Sequence, residues 1–365
     1  MSEIHLEVNG NLYTGWETIR VTRSLDKFCG SFFFTTSSFK NNVFPIFVGN
    51  ICKIYVENSL VMTGWIEKID TTYDVQNHTI TISGRDITCD IVDSQPDMSK
   101  IEFKKADLIT ITKKILEILN LQDIKIINRF NLKKFSGVSG DSIGTTAYDF
   151  LSKYAKKSQV LLTTNGNGYI VFERAKNEIY NTVLSTDKNA LATILNSSCS
   201  YDNTKRFYHY NLSTSASIND FIGKPSEMIK IKADAYDKEI RKSRILYIEP
   251  PDNSDQDETE DTAKWEANFR RANSVIYNCE VQGFIPKLDN EIWKVNKLVK
   301  VFDQSAGLDG QSIDANLLIT EVTYSQSVDD GSKTNLILMI QDAFTLQVNR
   351  PQKNKKSGKV QDDFN

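Results

Sequence analysis

A chain of 365 residues is too long for one simple core and sets an expectation of roughly two or three domains. Lys and Arg number 44 against 47 Asp and Glu, a net of −3, so no global basic field recruits nucleic acid, and any DNA contact is loose or local. No apolar run approaches the roughly 18 residues of a membrane span.

The opening MSEIHLEVNG alternates apolar with polar residues and lacks the basic and apolar regions of a secretory signal, so the reading is of a protein made and folded in a cytosol. Ile4, Leu6 and Val8 lead into an Asn9-Gly10 turn suited to a tight hairpin. Ile19 and Val21, the run SFFFTTSS, CKIYVE, LVMTGWIEKIDTTY and HTITIS follow. Short strands separated by turns over residues 1–95 fit a barrel or a sandwich of about 90 residues.

The pattern then changes. Ala106 to Leu121 places Leu108, Ile111, Ile115, Leu116 and Leu119 at helical spacing, with Asp107 near the start. A second helix is expected over Thr145 to Lys157, with Ala147, Phe150, Leu151 and Tyr154 on one face. The hairpin QVLLTTNGNGYIVFERA completes a small α+β domain at 97–176. From about 190 the strand pattern returns in RFYHYNLSTS, MIKIKADAY and ILYIEP, and Pro250-Pro251 closes that run. The acidic DNSDQDETED precedes AKWEANFRRANSVIY and reads as a helix N-terminus, where the macrodipole favours carboxylates. A calcium loop fails because its central glycine and terminal Glu are not at the required offsets. The expected second β-unit covers 190–348, with a helical insertion around 255–290. The tail 349–365, RPQKNKKSGKVQDDFN, has almost nothing to bury and reads as disordered.

Two stretches, Lys53 to Asp86 and Lys300 to Asp342, read as one strand-and-hairpin unit written twice. The first runs KIYV, a turn, Ile66, Ile69 and Tyr73, then HTITISGRD. The second runs KVFD, a longer excursion, Ile319, Val322 and Tyr324, the tip SVDDGSK, then NLILMIQD, so both returning arms end on a polar residue followed by Asp. Two similar β-modules in one polypeptide let a ring of three chains present six near-equivalent modules.

Signals for chemistry are sparse. His5, His78 and His209 have no nucleophile or ligand partner nearby in sequence and read as surface or half-buried sheet residues. Cys29, Cys52, Cys89, Cys199 and Cys279 are widely spaced with no CxxC pair, and most sit among strand-like apolar residues as small hydrophobes. HExxH and GxxxxGK[ST] motifs are missing from the sequence. Gly166-Asn167-Gly168 lies inside a hairpin and so is not a nucleotide loop. In SGRD, Ser83 to Asp86, the Arg and Asp read as satisfying local backbone or each other. Phe32, Phe33 and Phe34 in succession need cover on both faces of a strand, from a neighbouring module or chain. The segment GDSIGTTAYDFLSKYA, Gly140 to Ala155, resembles the start of a LysM module, which implies glycan binding. The expectation is a protein that is not an enzyme, with no catalytic, cofactor-binding or metal-binding residues and no cofactor.

The segments VNGNLYTGWETIRVTRSLDKFCGSFFFTTS, VMTGWIEKID, ISGRDITCDIVD, KWEANFRRANS, EVQGF and LLITEVTYS together resemble the baseplate hub protein of Mu-like contractile-tailed bacteriophages, over nearly the whole chain. Cys29, Cys52 and Cys89 stand where the family often has small or aliphatic residues, which puts only local packing in doubt. The resemblance implies a mainly β fold with an α+β insert: two tube-protein-like β-barrels plus smaller α+β domains, in a ring-forming homotrimer similar to the T-even phage hub. It implies a place in the virion tail baseplate, with the hexameric tail tube protein, the trimeric central spike protein and other baseplate proteins as partners, transient non-specific passage of DNA, and no membrane partner. A channel that grips phosphates slows transit, so a bore with few exposed Lys or Arg clusters is expected. The competing readings are a peptidoglycan-binding or cell-wall-acting tail component centred on 97–176, and a type VI secretion or pyocin spike hub of the same architecture.

Overall fold

The computed structural model describes residues 3–37, 44–73, 78–187, 192–216, 229–248, 256–307 and 312–341. The first part is all strand: β1 (Ile4–Val8), β2 (Asn11–Tyr13), β3 (Thr18–Ser24), β4 (Ser31–Ser37), β5 (Ile51–Val56), β6 (Ser59–Tyr73) and β7 (His78–Asp86). The β1–β2 hairpin turns on Asn9 and Gly10, at φ 52° and 78°, the positive angles that this dipeptide accepts most readily. Alternation fixes the inward face, so Ile4, Leu6 and Val8 are buried while the residues between them are not.

An α+β portion follows: α1 (Cys89–Asp93), β8 (Glu102–Asp107), α2 (Leu108–Ile118), β9 (Ile126–Ile127), β10 (Lys134–Ser139), α3 (Ala147–Lys157), β11 (Leu161–Thr164) and β12 (Ile170–Glu173). The Asp107 carboxylate accepts from the Thr110 amide at 2.9 Å and starts α2, which leaves Ala106 in β8 rather than in the helix. Thr146 caps α3 by accepting from the Asp149 amide at 3.1 Å. Leu108, Ile111, Ile115 and Leu116 of α2 and Phe150, Leu151 and Tyr154 of α3 are buried in one core with Phe172 and Ile170.

The last part holds β13 (Ile179–Ser185), β14 (Ala192–Tyr201), β15 (His209–Ala216), β16 (Ile229–Tyr236), β17 (Ile245–Ile248), α4 (Gln256–Ala272), β18 (Val275–Gln282), β19 (Leu298–Asp303), β20 (Ile313–Ser327) and β21 (Gly331–Met339). The helical insertion expected around 255–290 is corrected: the helix ends at Ala272, and 275–282 is a strand between β14 and β21. β15, β16 and β17 leave the main sheet and form their own three-stranded sheet, with Tyr210, Leu212, Ala233 and Ala235 packed on Ala263 of α4. β13 lies in 177–189, between the expected units, and pairs with β19.

The main sheet runs β19-β13-β14-β18-β21-β20-β3-β4-β7-β6-β5-β1-β2, and β19 also pairs with β20, so the six strands β13, β14 and β18–β21 close on themselves. The duplication is visible in its order. β3-β4-β7-β6-β5 and β14-β18-β21-β20-β19 have the same connectivity, except that the second copy inserts β15–β17 and α4 where the first has the short β3–β4 connection. Both copies share a bulge at one place, between Ile66 and Lys68 in the first and between Ile319 and Glu321 in the second. That bulge fixes the alignment: Ile66 matches Ile319, and Gly84 matches Leu338. Two details of the sequence reading change. Tyr324 matches Thr71 rather than Tyr73, and Ile340 rather than Asp342 matches Asp86; Asp342 itself lies outside the described residues. Flanking copies diverge, since β1 is antiparallel to β5 whereas β13 is parallel to β19. A single apolar cluster, from Ile4 and Phe34 to Tyr324 and Leu338, runs through both copies.

Candidate assembly surface

The two modules meet along one seam, where β3 pairs antiparallel with the second half of β20, from Ser24 opposite Glu321 to Thr18 opposite Ser327. The Thr22 and Thr323 hydroxyls hydrogen-bond across it at 2.9 Å, and Lys27 reaches Glu321 at 2.8 Å. On its inner face Val21, Val322 and Tyr324 are buried. Phe32 and Phe34 are buried in the first module, while Phe33 faces the other side with the Arg20 guanidinium 5.6 Å from its ring. The cover expected for the aromatic triplet therefore comes from within the chain on one face and from a cation on the other.

Behind the seam a buried polar knot ties the first module to the α+β portion. Arg23 donates to Asp86 at 2.5 Å and to the Thr164 carbonyl and hydroxyl at 2.5 and 2.8 Å, while the Thr88 amide and hydroxyl donate to Asp86 at 3.1 and 2.9 Å. Of the two partners the sequence allowed, Asp86 takes the local backbone through the Thr88 amide, and it does not pair with Arg85. Adjacent strand residues point to opposite faces, and Arg85 instead grips Glu67 at 2.7 Å and Asp93 at 2.6 Å on the outside. In the second module the buried Asp303 accepts from the Ser197 and Tyr277 hydroxyls, both at 2.6 Å, and from the Ser305 amide at 2.8 Å. Burial alone raises its pKa, but these donors hold the carboxyl below the usual carboxylate range. The long-range members of these knots, Arg23 with Asp86 and Thr164 and Ser197 with Asp303, were not visible in the sequence because they are far apart along the chain.

The residues screened for chemistry are dispersed. His5 lies on β1 beside Tyr55, with ring centroids 6.0 Å apart; His78 lies at the start of β7 against Tyr73; and His209 contacts Asp234 at 2.6 Å and stacks on Tyr236. The five cysteines are free thiols. Burial pushes Cys29, Cys52 and Cys89 up to about 12 and raises Cys199 and Cys279 as well, the reverse of what a nucleophilic thiolate needs. Among the described residues no group of three or more His, Cys, Asp or Glu is placed to hold a metal ion, and no helix is long and apolar enough to cross a membrane. The Gly166-Asn167-Gly168 turn packs on the first module, where the Gly166 carbonyl accepts from the Thr63 hydroxyl at 2.8 Å. A groove of about 440 Å³ lies between β10 and α3, lined by Lys133, Lys134, Lys153, Lys157, Tyr154 and Asp141 among others.

What this arrangement offers is strand edges and a seam between like modules, the equipment of a protein that assembles. Comparisons with known proteins point the same way. The family model for the Mu phage baseplate assembly protein GpP-like, N-terminal, matches residues 3–86. Baseplate hub protein gp44 of Escherichia phage Mu is 25% identical over 366 residues, covering 97% of this chain and 92% of its own. The 43 kDa tail protein of prophage MuSo2 from Shewanella oneidensis superposes with a TM-score of 0.79 at 26% identity, covering 94% of this chain and 99% of that one. The tail protein from Neisseria meningitidis MC58 gives the same TM-score at 18% identity, covering 94% and 98%. An E. coli type VI secretion component shares the fold more distantly, with a TM-score of 0.56 at 11% identity, covering 92% of this chain and 76% of that one. The protein is a β-rich α+β chain of the phage-tail fold, and the resemblance to the baseplate hub protein of Mu-like contractile-tailed bacteriophages holds across nearly all of it.

Proposed function

We propose that the protein is a structural baseplate hub of a contractile phage tail, in which three chains close a ring and their paired modules imitate sixfold symmetry. The observation that carries this reading is the duplication: two modules of one topology, with a matching bulge, joined side by side through β3 and β20. A threefold ring of such chains offers a six-module face to the hexameric tail tube and a threefold face to the trimeric central spike. In this division residues 1–95 and 190–348 supply the modules, with β13, which precedes 190, added to the second, and 97–176 is a separate α+β unit. The role is mechanical, with no bond made or broken, and the ring leaves a bore for DNA with few exposed cations. The ring belongs to the virion, assembled from chains made in the host cytoplasm. Its test is sedimentation equilibrium of the purified chain. The reading expects a mass three times the 41.5 kDa chain that persists on dilution, as a closed ring with an interface above about 2,000 Å² does. Monomer at every concentration contradicts it.

The lysine-lined groove between β10 and α3 favours a second reading, in which the 97–176 unit binds an anionic cell-wall polymer. Cosedimentation of the protein with peptidoglycan separates the two.

A further inference from the structure

The seam inside the chain is a template for one between chains. Each internal equivalence follows from pairing. Phe32 lies opposite Gly84 and Tyr277 opposite Leu338, so Phe32 matches Tyr277. Val21 lies opposite Phe32 and Cys199 opposite Tyr277, so Val21 matches Cys199, Thr22 Ser200, Arg23 Tyr201 and Ser24 Asp202. From the shared bulge, Glu321 matches Lys68, Val322 Ile69, Thr323 Asp70 and Tyr324 Thr71.

Two strand edges remain that correspond to the two used at the β3–β20 seam. β5 pairs with β6 only as far as Trp65, so among the described residues no strand takes the second edge of Lys68–Tyr73. β13 meets β14 only at Ala192 and Thr193, so among the described residues no strand takes the second edge of 194–201. Exposed edges of this length invite another strand. Burial shows the same vacancy. At the internal seam Val21, Arg23 and Tyr324 are 0%, 7% and 2% exposed, whereas Tyr201 is 41% exposed, Thr71 is exposed and Cys199 is only half-buried.

We propose, resting on the ring reading above, that the free edge of β6 pairs antiparallel with the free edge of β14 in a second copy of the chain, with Lys68 opposite Asp202, Ile69 opposite Tyr201, Asp70 opposite Ser200 and Thr71 opposite Cys199. The transferred register is chemically complementary although nothing in its construction required it. An ammonium faces a carboxylate, an apolar side chain faces an exposed aromatic ring, and a serine hydroxyl faces a carboxylate where the internal seam pairs two threonine hydroxyls. The contact is head-to-tail, so it propagates from chain to chain until the rotation closes.

The test uses the full chain. Thr71→Cys places a thiol opposite native Cys199 of the neighbouring copy, and mild oxidation should give disulfide-linked dimers and trimers on a non-reducing gel. The wild type and Thr71→Cys/Cys199→Ser should give none. Independently, Lys68→Glu should raise the concentration at which the assembly dissociates by roughly tenfold, and Lys68→Glu/Asp202→Lys should restore it. A wild type that assembles as a trimer while neither the cross-link nor the charge rescue appears overturns the register and leaves the ring reading standing. A wild type that is monomeric throughout overturns both.

Discussion

Arg23 and Asp86 form an ion pair at 2.5 Å whose side chains are 9% and 0% exposed, and the same guanidinium reaches the carbonyl of Thr164, so one cation binds the end of β7 to the hairpin of the α+β portion. Removing one member leaves the other buried without its countercharge. Arg23→Met or Asp86→Asn should each cost about 3–5 kcal/mol, read from the midpoint and slope of urea unfolding. The double variant Arg23→Met/Asp86→Leu should cost less than the sum of the two single changes, because it removes both charges together.

Two glycines should respond in opposite degrees. A side chain at Gly84 meets the Trp65 carbonyl oxygen at 1.9 Å and the Phe32 ring at 2.7 Å, so Gly84→Val should leave little folded protein in a soluble-expression assay. At Gly10 nothing lies within 4 Å, and only the positive φ of 78° opposes a side chain. Gly10→Ala should fold and lose about 1–2 kcal/mol in urea unfolding.

Asp303 supplies a dependence on acid. Its folded pKa lies below the ordinary 3.8, so the stability it contributes is present above that value and is lost as pH falls through the folded value. Asp303→Asn should cost about 1–3 kcal/mol at pH 7, where the carboxylate holds its hydroxyl donors. The gap between wild type and variant should narrow as unfolding is repeated below the ordinary carboxylate pKa. An unchanged gap would show that the carboxylate is not the source.

Two of the buried thiols should be silent in the native protein. Cys52 and Cys279 are buried, with pKa values pushed far above neutrality, so neither should react with iodoacetamide at pH 7.5, while all five cysteines react in denaturant. Mass mapping of the alkylated peptides reads this directly. Rapid native labelling of Cys52 or Cys279 would mean that the strands carrying them open.

The sequence made the duplication legible because strand alternation is local: Ile66 and Ile319, or Ile82 and Leu336, fall at matching steps of a period-two pattern. The α2 and α3 faces were legible for the same reason at helical spacing. What escaped was decided by pairing across long separations. β15–β17 alternate as barrel strands do, and nothing in RFYHYNLSTS says that its neighbours are β16, β17 and α4 rather than β14. The two-residue slip that matched Asp86 to Asp342 arose because apolar and polar letters repeat every second residue, so a slip of two preserves the pattern. Arg23, which ties Asp86 to Thr164, carries no mark in the sequence that sets it apart from other strand cations.

The central claim concerns three chains acting as six modules around one hole, and imaging purified particles down the ring axis tests it most directly. The account predicts an annulus of six similar lobes in class averages, whose alternate lobes differ because only the second module carries β15–β17 and α4. Single unringed particles, or rings in which the two modules of a chain lie at different radii, would contradict it.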